Sequence, residues 1–288
     1  MLNWSQGNFL LMILVLCLMP INWWLESLKW KNLLRPFVKI STLTSLKGVM
    51  SGVTLAVMTP ARIGEYGGRI AVLPSENNWH GLVATFVSSI SQNLSNVIFG
   101  FIGAVCFVSA YLDVQTFAIW GLVSSGTFVL LIALLIYFNI AGFKRLLKNV
   151  LPKSVLIRFK KQLNMLAVYD ENTLKSAFQI SVLRYVTYLS QYVLILKAFG
   201  IGIPVFASVS GVAMIFLIQS GIPLPPVLGI MARGELAVVV WELFSTNVLG
   251  ILAATFTLWI INLVIPALLG LMIVLNVNIL RSFGYERK

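Results

Sequence analysis

Residues 59–69 read TPARIGEYGGR and interrupt a long apolar part of the sequence. Proline lacks a backbone N–H and disfavours helix in the residue before it, so Thr59-Pro60 predicts the end of a helix. The mostly apolar residues before it, 48–58, are too few to cross a bilayer, which takes about 20 residues. We therefore interpret 48–58 as one half of a broken helix.

The second half of this broken helix is predicted from Gly64 to about Leu73. The polar residues PSENN at 74–78 then end the excursion. We interpret 48–78 as a re-entrant hairpin that enters and leaves the membrane on the cytoplasmic side. Small residues repeat at four-residue spacing at Gly48 and Gly52, and again at Gly64 and Gly68, which is a spacing typical of close helix packing.

A second stretch, at residues 223–235, reads PLPPVLGIMARGE and again places proline, glycine, arginine and glutamate within apolar sequence. The helix before it, about 205–218, is also too short to span a membrane comfortably. We predict a break containing Pro223, Gly229 and Gly234, followed by a half-helix from about Leu236 to Leu243. Residues 205–243 would then form a second re-entrant hairpin, entering from the outer side.

Composition makes this an integral membrane protein of all-α class. The chain is 59% hydrophobic and 10% charged, with a mean hydropathy of +0.93, whereas soluble domains carry about 25% charged residues. The net charge of +12 does not indicate nucleic-acid binding, because the basic residues fall in short segments between apolar spans, as the positive-inside rule describes. Cys17 and Cys106 lie in apolar spans without metal-ligand spacing, and we expect no metal and no cofactor.

Five full crossings are predicted within a single membrane domain, 1–288, at about 8–28, 79–110, 116–138, 176–199 and 248–277. We expect 8–28 to be a membrane helix and not a cleaved signal, since no Lys or Arg precedes Lys29. Three basic segments, 29–47, the loop 139–175 and the C-terminus, carry 16 of the 21 Lys and Arg residues. They predict an N-terminus outside and a C-terminus inside a bacterial cytoplasmic membrane, with the basic segments on anionic inner-leaflet lipid.

The two hairpins then enter from opposite faces, in two halves at about 1–138 and 176–288. This layout predicts an inverted repeat, in which discontinuous helices meet near the membrane midplane.

Charged side chains at bilayer depth cost about 2.5–3.5 kcal/mol each on insertion scales, so they need partners or water. The residues concerned are Arg62, Glu65, Arg69, Arg233 and Glu235. One hypothesis is a polar cavity whose arginines bind an anionic head group, since the guanidinium fork donates two parallel hydrogen bonds to phosphate. Its glutamates would pair with the arginines or carry a coupling proton. The other is a set of structural ion pairs that lock the hairpins together.

Polar residues cluster between 88 and 96 in the span 79–110, and we expect Gln92 and Asn93 to line the path of a substrate. Arg184 stands about two turns into its own span. It is interpreted as a side chain that reaches back to the inner surface.

At Thr59–Glu65, Gly68-Arg69, Gly229 and Arg233–Glu235, the sequence resembles the lysylphosphatidylglycerol synthase transmembrane region, also called flippase-like integral membrane proteins. In bifunctional members this region is similar to a lipid flippase, while a separate soluble domain makes aminoacylated lipid. We expect no such domain in this protein, so the resemblance implies lipid translocation or lipid binding and argues against aminoacyl transfer.

We therefore expect a flippase-like transporter that moves an anionic or phosphate-bearing lipid, such as a phospholipid, glycolipid or polyprenyl-phosphate-linked lipid, between leaflets. The alternative is a lipid-binding membrane partner of a lipid or cell-envelope biosynthetic enzyme, without transport. In either case we do not expect an enzyme.

Overall fold

The computed structural model describes residues 6–139, 160–221 and 228–276, and every regular element in these ranges is helical. The helices are α1 (Gln6–Leu34), α2 (Thr42–Val57), α3 (Gly64–Ile70), α4 (Asn78–Tyr111), α5 (Thr116–Phe138), α6 (Lys160–Leu166), α7 (Glu171–Ala198), α8 (Val205–Ser220), α9 (Leu228–Trp241), α10 (Val248–Trp259) and α11 (Ile265–Asn276). Short 3₁₀ turns occupy Pro60–Arg62 and Ser75–Asn77, and a π-helical turn at Ile260–Val264 joins α10 to α11.

Helices α1 and α7 form the centre of the molecule. They pack along each other, and both also contact α4. Helix α7 begins where the Asp170 side chain accepts a hydrogen bond from the Thr173 N–H, a standard N-cap. The hydrogen bonds from Thr173 also hold the pKa of Asp170 below its usual value.

Helices α2 and α3 form a tight antiparallel hairpin around the predicted break. A Cβ added at Gly64 would lie 2.2 Å from the Leu55 carbonyl oxygen, and one at Gly68 would lie 2.3 Å from that of Ser51. The two backbones can therefore approach only because these positions lack side chains. In the turn, the Thr59 hydroxyl accepts a hydrogen bond from the Gly64 N–H at 2.7 Å.

The two halves of the chain interlock through their first short helices. Helix α2 packs on α11, where Gly270 leaves room for the Met50 carbonyl and Thr54 donates a hydrogen bond to the Ala267 carbonyl at 2.7 Å. Helix α8 packs on α4, where Gly103 leaves room for Ala213. Each half of the chain thus packs one short helix on a helix of the other half. The inverted, re-entrant arrangement relative to a membrane stays a prediction.

Four of the described helical segments are long and apolar enough to cross a membrane: Gln6–Leu34, Ser75–Tyr111, Thr116–Phe138 and Val248–Leu275. They agree with four of the five predicted crossings. The fifth, 176–199, corresponds to α7, which has sufficient length but is too polar to qualify by composition. Its polarity has a physical reason, because α7 contacts α1, α4, α8 and α10 on its sides and presents polar groups to them.

Three predicted boundaries are wrong. The first half-helix was expected to begin at Gly48, whereas α2 already begins at Thr42. The first span was expected to end at about Leu28 with Lys29 in a basic cytoplasmic segment, but α1 continues to Leu34 and Lys29 is fully buried. The second half-helix was expected to begin at about Leu236, whereas α9 already begins at Leu228. The helix continues through Gly229 and Gly234, and Gly234 lies against Leu252 and Phe256 of α10, so this glycine serves helix packing. Pro223 lies outside the described residues.

Candidate functional site

The site is built around Glu26, a carboxylate in α1 with 4% side-chain exposure. Its Oε1 accepts hydrogen bonds from Arg69 Nη2 at 2.7 Å and from the Ser88 hydroxyl at 3.0 Å. Its Oε2 pairs with Lys29 Nζ at 2.9 Å and with Arg184 Nη1. One buried carboxylate thus joins cations from α1, α3 and α7.

A second carboxylate, Glu65 at the start of α3, extends this cluster to the hairpin. Its Oε1 accepts from Arg69 Nη2 at 2.5 Å and its Oε2 pairs with Arg62 Nη2 at 3.1 Å. The Glu65 side chain is 13% exposed and that of Arg62 is 53% exposed, so the cluster reaches the protein surface at the hairpin turn. We call the six charged residues the Glu26 cluster: Glu26, Lys29, Arg62, Glu65, Arg69 and Arg184.

The Glu26 cluster holds four cations and two carboxylates, so it carries two positive charges in excess. A buried ion pair is costly unless its charges are matched and its hydrogen bonds are made. Arg69 is 2% exposed, and its buried Nε and Nη1 have no hydrogen-bond partner among the described residues. Excess positive charge and free guanidinium donors together favour the binding of an anion.

Uncharged polar groups orient the cations. The Gln92 Oε1 accepts hydrogen bonds from Lys29 Nζ at 3.2 Å and from Arg184 Nη1 at 3.0 Å. Ser181 Oγ accepts from Lys29 at 3.2 Å. Two tryptophans stack on the guanidinium groups, Trp30 on Arg69 at 5.8 Å and Trp23 on Arg184 at 5.5 Å. The rings supply cation–π stabilisation without adding charge.

The last span reaches the site through its π-helical turn. Pro266 lacks the N–H that would bond the Asn262 carbonyl, which makes a regular helix unfavourable at this point. The Asn262 side chain then accepts a hydrogen bond from Asn22 Nδ2 at 3.3 Å, and Asn22 Oδ1 accepts from Arg184 Nε at 3.0 Å. Arg184 is therefore held from both α1 and the last span.

Arg62 has a left-handed backbone conformation, with φ at 58°. This region is uncommon for residues other than glycine and costs about 1–3 kcal/mol when it is imposed by the surrounding structure. The strained residue is also the exposed cation of the cluster. Its strain marks the hairpin turn as a place where side-chain position is maintained at the expense of local stability.

The structure separates the two charges predicted in the second stretch. Arg233 is half-buried on α9, whereas Glu235 is exposed on the opposite face, together with Met231 and Val239. Neither makes an ion pair with any described residue.

Arg233 nevertheless acts electrostatically on a tyrosine that two arginines of the Glu26 cluster also affect. Tyr188, one helical turn after Arg184 on α7, is within electrostatic range of Arg233, Arg62 and Arg184. The Tyr188 ring stacks on Phe216 at 5.0 Å. Three arginines from three separate elements thus lie within electrostatic range of one tyrosine.

The other predicted residues occupy three kinds of position. Pro60 opens the turn, and Gly64 and Gly68 permit the α2–α3 contact. Gln92 belongs to the polar network, but its neighbour Asn93 is exposed and faces away from it. Gly229 is buried in the first turn of α9.

Three residues of the Glu26 cluster were missed or misread from the sequence. Glu26 and Lys29 were assigned to the end of a span and a basic loop. Arg184 was interpreted as reaching the inner surface, but its side chain is only 15% exposed and pairs with Glu26. A signal did exist in α1: Asn22, Glu26 and Lys29 follow one another at helical spacing on a single face.

Comparison with known families gives one match. The family described as the lysylphosphatidylglycerol synthase TM region matches residues 3–270. The chain belongs to this family. As a member of the lysylphosphatidylglycerol synthase TM region family, it is an integral membrane protein linked to lipid or envelope biosynthesis or to lipid flipping. The match includes every residue of the Glu26 cluster and Arg233. Neither a curated protein nor a solved structure matches the chain.

Proposed function

We propose that this protein is a flippase-like transporter that moves an anionic or phosphate-bearing lipid between leaflets of a bacterial cytoplasmic membrane, with its N-terminus outside and its C-terminus in the cytoplasm. The excess of cations in the Glu26 cluster carries this proposal. Arg69 retains free donors, and Arg62, more than half exposed, makes the cluster accessible from the hairpin turn. A phosphate group near Arg62, Arg69 and Arg233 would neutralise the excess and accept their hydrogen bonds.

Within this mechanism the residues have different roles. Arg62 and Arg233 are the accessible cations and make the first contact with a head group. Arg69 is tied to both glutamates by one nitrogen, Nη2, and offers its other nitrogens to the bound anion. No covalent chemistry is assigned to the protein, and anionic inner-leaflet lipid is expected at its basic segments.

The test is leaflet exchange in reconstituted vesicles, using labelled phosphatidylglycerol, phosphatidylcholine and a polyprenyl phosphate. Wild type should move an anionic lipid faster than phosphatidylcholine. Arg62→Ala combined with Arg233→Ala should slow this about tenfold or more, because a hydrogen bond to a charged group contributes about 1.5–3 kcal/mol. Lys175→Ala, which removes an exposed lysine paired with Glu171, is the matched control and should transport normally.

Equal movement of all three lipids by wild type and by the double variant would refute the proposal. A stable biosynthetic enzyme that co-purifies with the protein, without any lipid movement, would favour the alternative role of a lipid-binding partner.

A further inference from the structure

Lys29 differs from the other cations of the Glu26 cluster in its chemistry. Arg62, Arg69 and Arg184 keep their charge at any physiological pH, because guanidinium groups are not deprotonated in proteins. A lysine that is buried can lose its proton and become a neutral amine. The Lys29 side chain has 0% exposure.

The acceptors around Lys29 do not depend on Lys29 alone for their hydrogen bonds. Each acceptor of its ammonium group has a second donor or partner. Glu26 Oε2 and Gln92 Oε1 both also bind Arg184 Nη1, and Ser181 Oγ lies 3.0 Å from Ser91 Oγ. Removal of one proton from Lys29 would therefore leave no buried oxygen without a hydrogen-bond partner. An unpaired buried oxygen is what makes such a change costly in other networks.

The net positive charge of the Glu26 cluster lowers the free-energy cost of removing the Lys29 proton while no anion is bound. Charged groups around Lys29 come from four elements: Glu26 on its own helix, Arg69 and Glu65 on α3, Arg62 in the hairpin turn and Arg184 on α7. Helix α4 contributes only uncharged groups to this region, namely Gln92, Ser88 and Ser91. Loss of the Lys29 proton would reduce the excess from two positive charges to one. A bound anion adds negative charge beside the cluster and raises the cost of removing the Lys29 proton, because an opposite charge favours the charged form of a nearby base.

We propose that Lys29 takes up a proton when the Glu26 cluster binds an anionic group and releases it when that group leaves, so that movement of a lipid head group is coupled to movement of one proton. This inference rests on the proposed anion-binding function and adds its energy source. The coupling residue is Lys29, whereas from the sequence Glu65 and Glu235 were considered either as partners of the arginines or as proton carriers.

The direction of the effect follows from linkage. If binding takes up one proton, the affinity for the anion should fall about tenfold for each unit of pH above the point at which free Lys29 loses its proton. Below that point the affinity should not depend on pH, since Lys29 is already protonated.

The probe is dihexanoyl phosphatidylglycerol, whose phosphodiester does not titrate near neutral pH, added to the full-length protein in detergent. Isothermal titration in buffers of different ionisation enthalpy counts the protons taken up. We expect about one proton per lipid for wild type near the top of the physiological pH range. Lys29→Arg should bind the probe with no proton uptake, because its charge is fixed. Lys197→Arg, at an exposed position in the last turn of α7 and outside the basic segments, is the matched control and should behave as wild type.

Wild type that binds without proton uptake would overturn the assignment, and so would Lys29→Arg with the uptake of wild type. A protein that binds no anionic lipid at all would instead overturn the proposed function. If Lys29→Arg does not fold, the proposal is tested on wild type alone through the ¹³Cε resonance of labelled Lys29. This resonance is assigned as the one that is missing from Lys29→Met. It should change with pH in the lipid-free protein at a lower pH than the exposed lysines. A resonance that does not change between about pH 6 and pH 10 would exclude Lys29 as the coupling residue.

Discussion

Among the described residues, Glu26 is the one carboxylate that pairs with all three of Lys29, Arg69 and Arg184. Glu26→Gln would leave Lys29 and Arg184 without their counter-charge and Arg69 with Glu65 alone. We expect a loss of about 3–5 kcal/mol in the free energy of unfolding, as for a broken buried ion pair. Denaturant or thermal unfolding in detergent measures it.

The control for this change is Glu171→Gln, since Glu171 pairs with Lys175 in an exposed position. Exposed pairs contribute about 0–1 kcal/mol. Equal losses in the two variants would mean that the Glu26 cluster is no more important to stability than a surface pair.

Arg62 allows backbone strain to be separated from side-chain function. Arg62→Gly should be more stable than Arg62→Ala by about 1 kcal/mol, because glycine adopts a positive φ freely and alanine does not. Both variants lose the guanidinium, so both should transport anionic lipid more slowly than wild type. Unfolding and leaflet exchange are measured on the same preparations, and an alanine variant as stable as the glycine variant would show that the turn is unstrained.

At this scale the sequence identifies charges but not their partners. Arg62, Glu65 and Arg69 were found because they lie within one helical turn or two of each other beside a proline. Glu26 and Arg184 are separated by 158 positions, and nothing local in either segment indicates that they meet. Lys29 was misread because a buried lysine and a cytoplasmic lysine look alike at the end of an apolar run.

The hairpin of α2 and α3 depends on close contact between two backbones. Gly68→Ala would place a methyl group 2.3 Å from the Ser51 carbonyl oxygen, which forces the helices apart. We expect it to destabilise the protein by about 1–3 kcal/mol, the usual cost of overpacking, and to slow transport by displacing Arg69.

Gly67→Ala is the matched control, since a Cβ there meets nothing within 4 Å. Alanine has the higher helix propensity, so this variant should be as stable as wild type or more stable by up to about 1 kcal/mol. If both alanine variants behave alike in unfolding and transport, the close α2–α3 contact does not matter.

Elements marked by local chemistry were predicted well from the sequence. Helix α2 ends at Val57, close to the end predicted from Thr59-Pro60, and α5 coincides with its predicted range, 116–138. Helix α9 was misplaced because Gly229 and Gly234 were interpreted as helix breakers. Whether a glycine breaks a helix or lets another helix approach depends on its neighbours, here Leu252 and Phe256, which are distant in the sequence.

At the scale of the molecule, α7 is the helix whose interpretation depends most on its surroundings. Its composition does not qualify it as a membrane span, yet it lies at the centre of the helices that do qualify. The sequence predicts that α7 crosses the membrane only through the basic segments on either side of the spans and the positive-inside rule. That rule concerns the loops and says nothing about which helices α7 contacts.

The feature with the widest consequence is that the counter-charge of Arg184 lies on α1, which is made well before α7. An arginine in the middle of a span costs about 2.5–3.5 kcal/mol on insertion, so α7 synthesised alone should enter a membrane poorly. In a glycosylation-mapping assay, we expect α7 to insert more efficiently when α1 precedes it, and Arg184→Leu to insert efficiently without α1. Equal insertion of wild-type α7 with and without α1 would contradict this.

If α7 depends on α1 in this way, the order of synthesis matters to the cell. The ribosome completes α1 long before α7 leaves the exit tunnel. Until α7 arrives, Glu26 lacks Arg184 and has Lys29 on its own helix as a counter-charge. The translocon or an insertase would have to keep the first helix close by during that interval. The same ion pair that fixes the finished site would then also act as a checkpoint in the biogenesis of the protein.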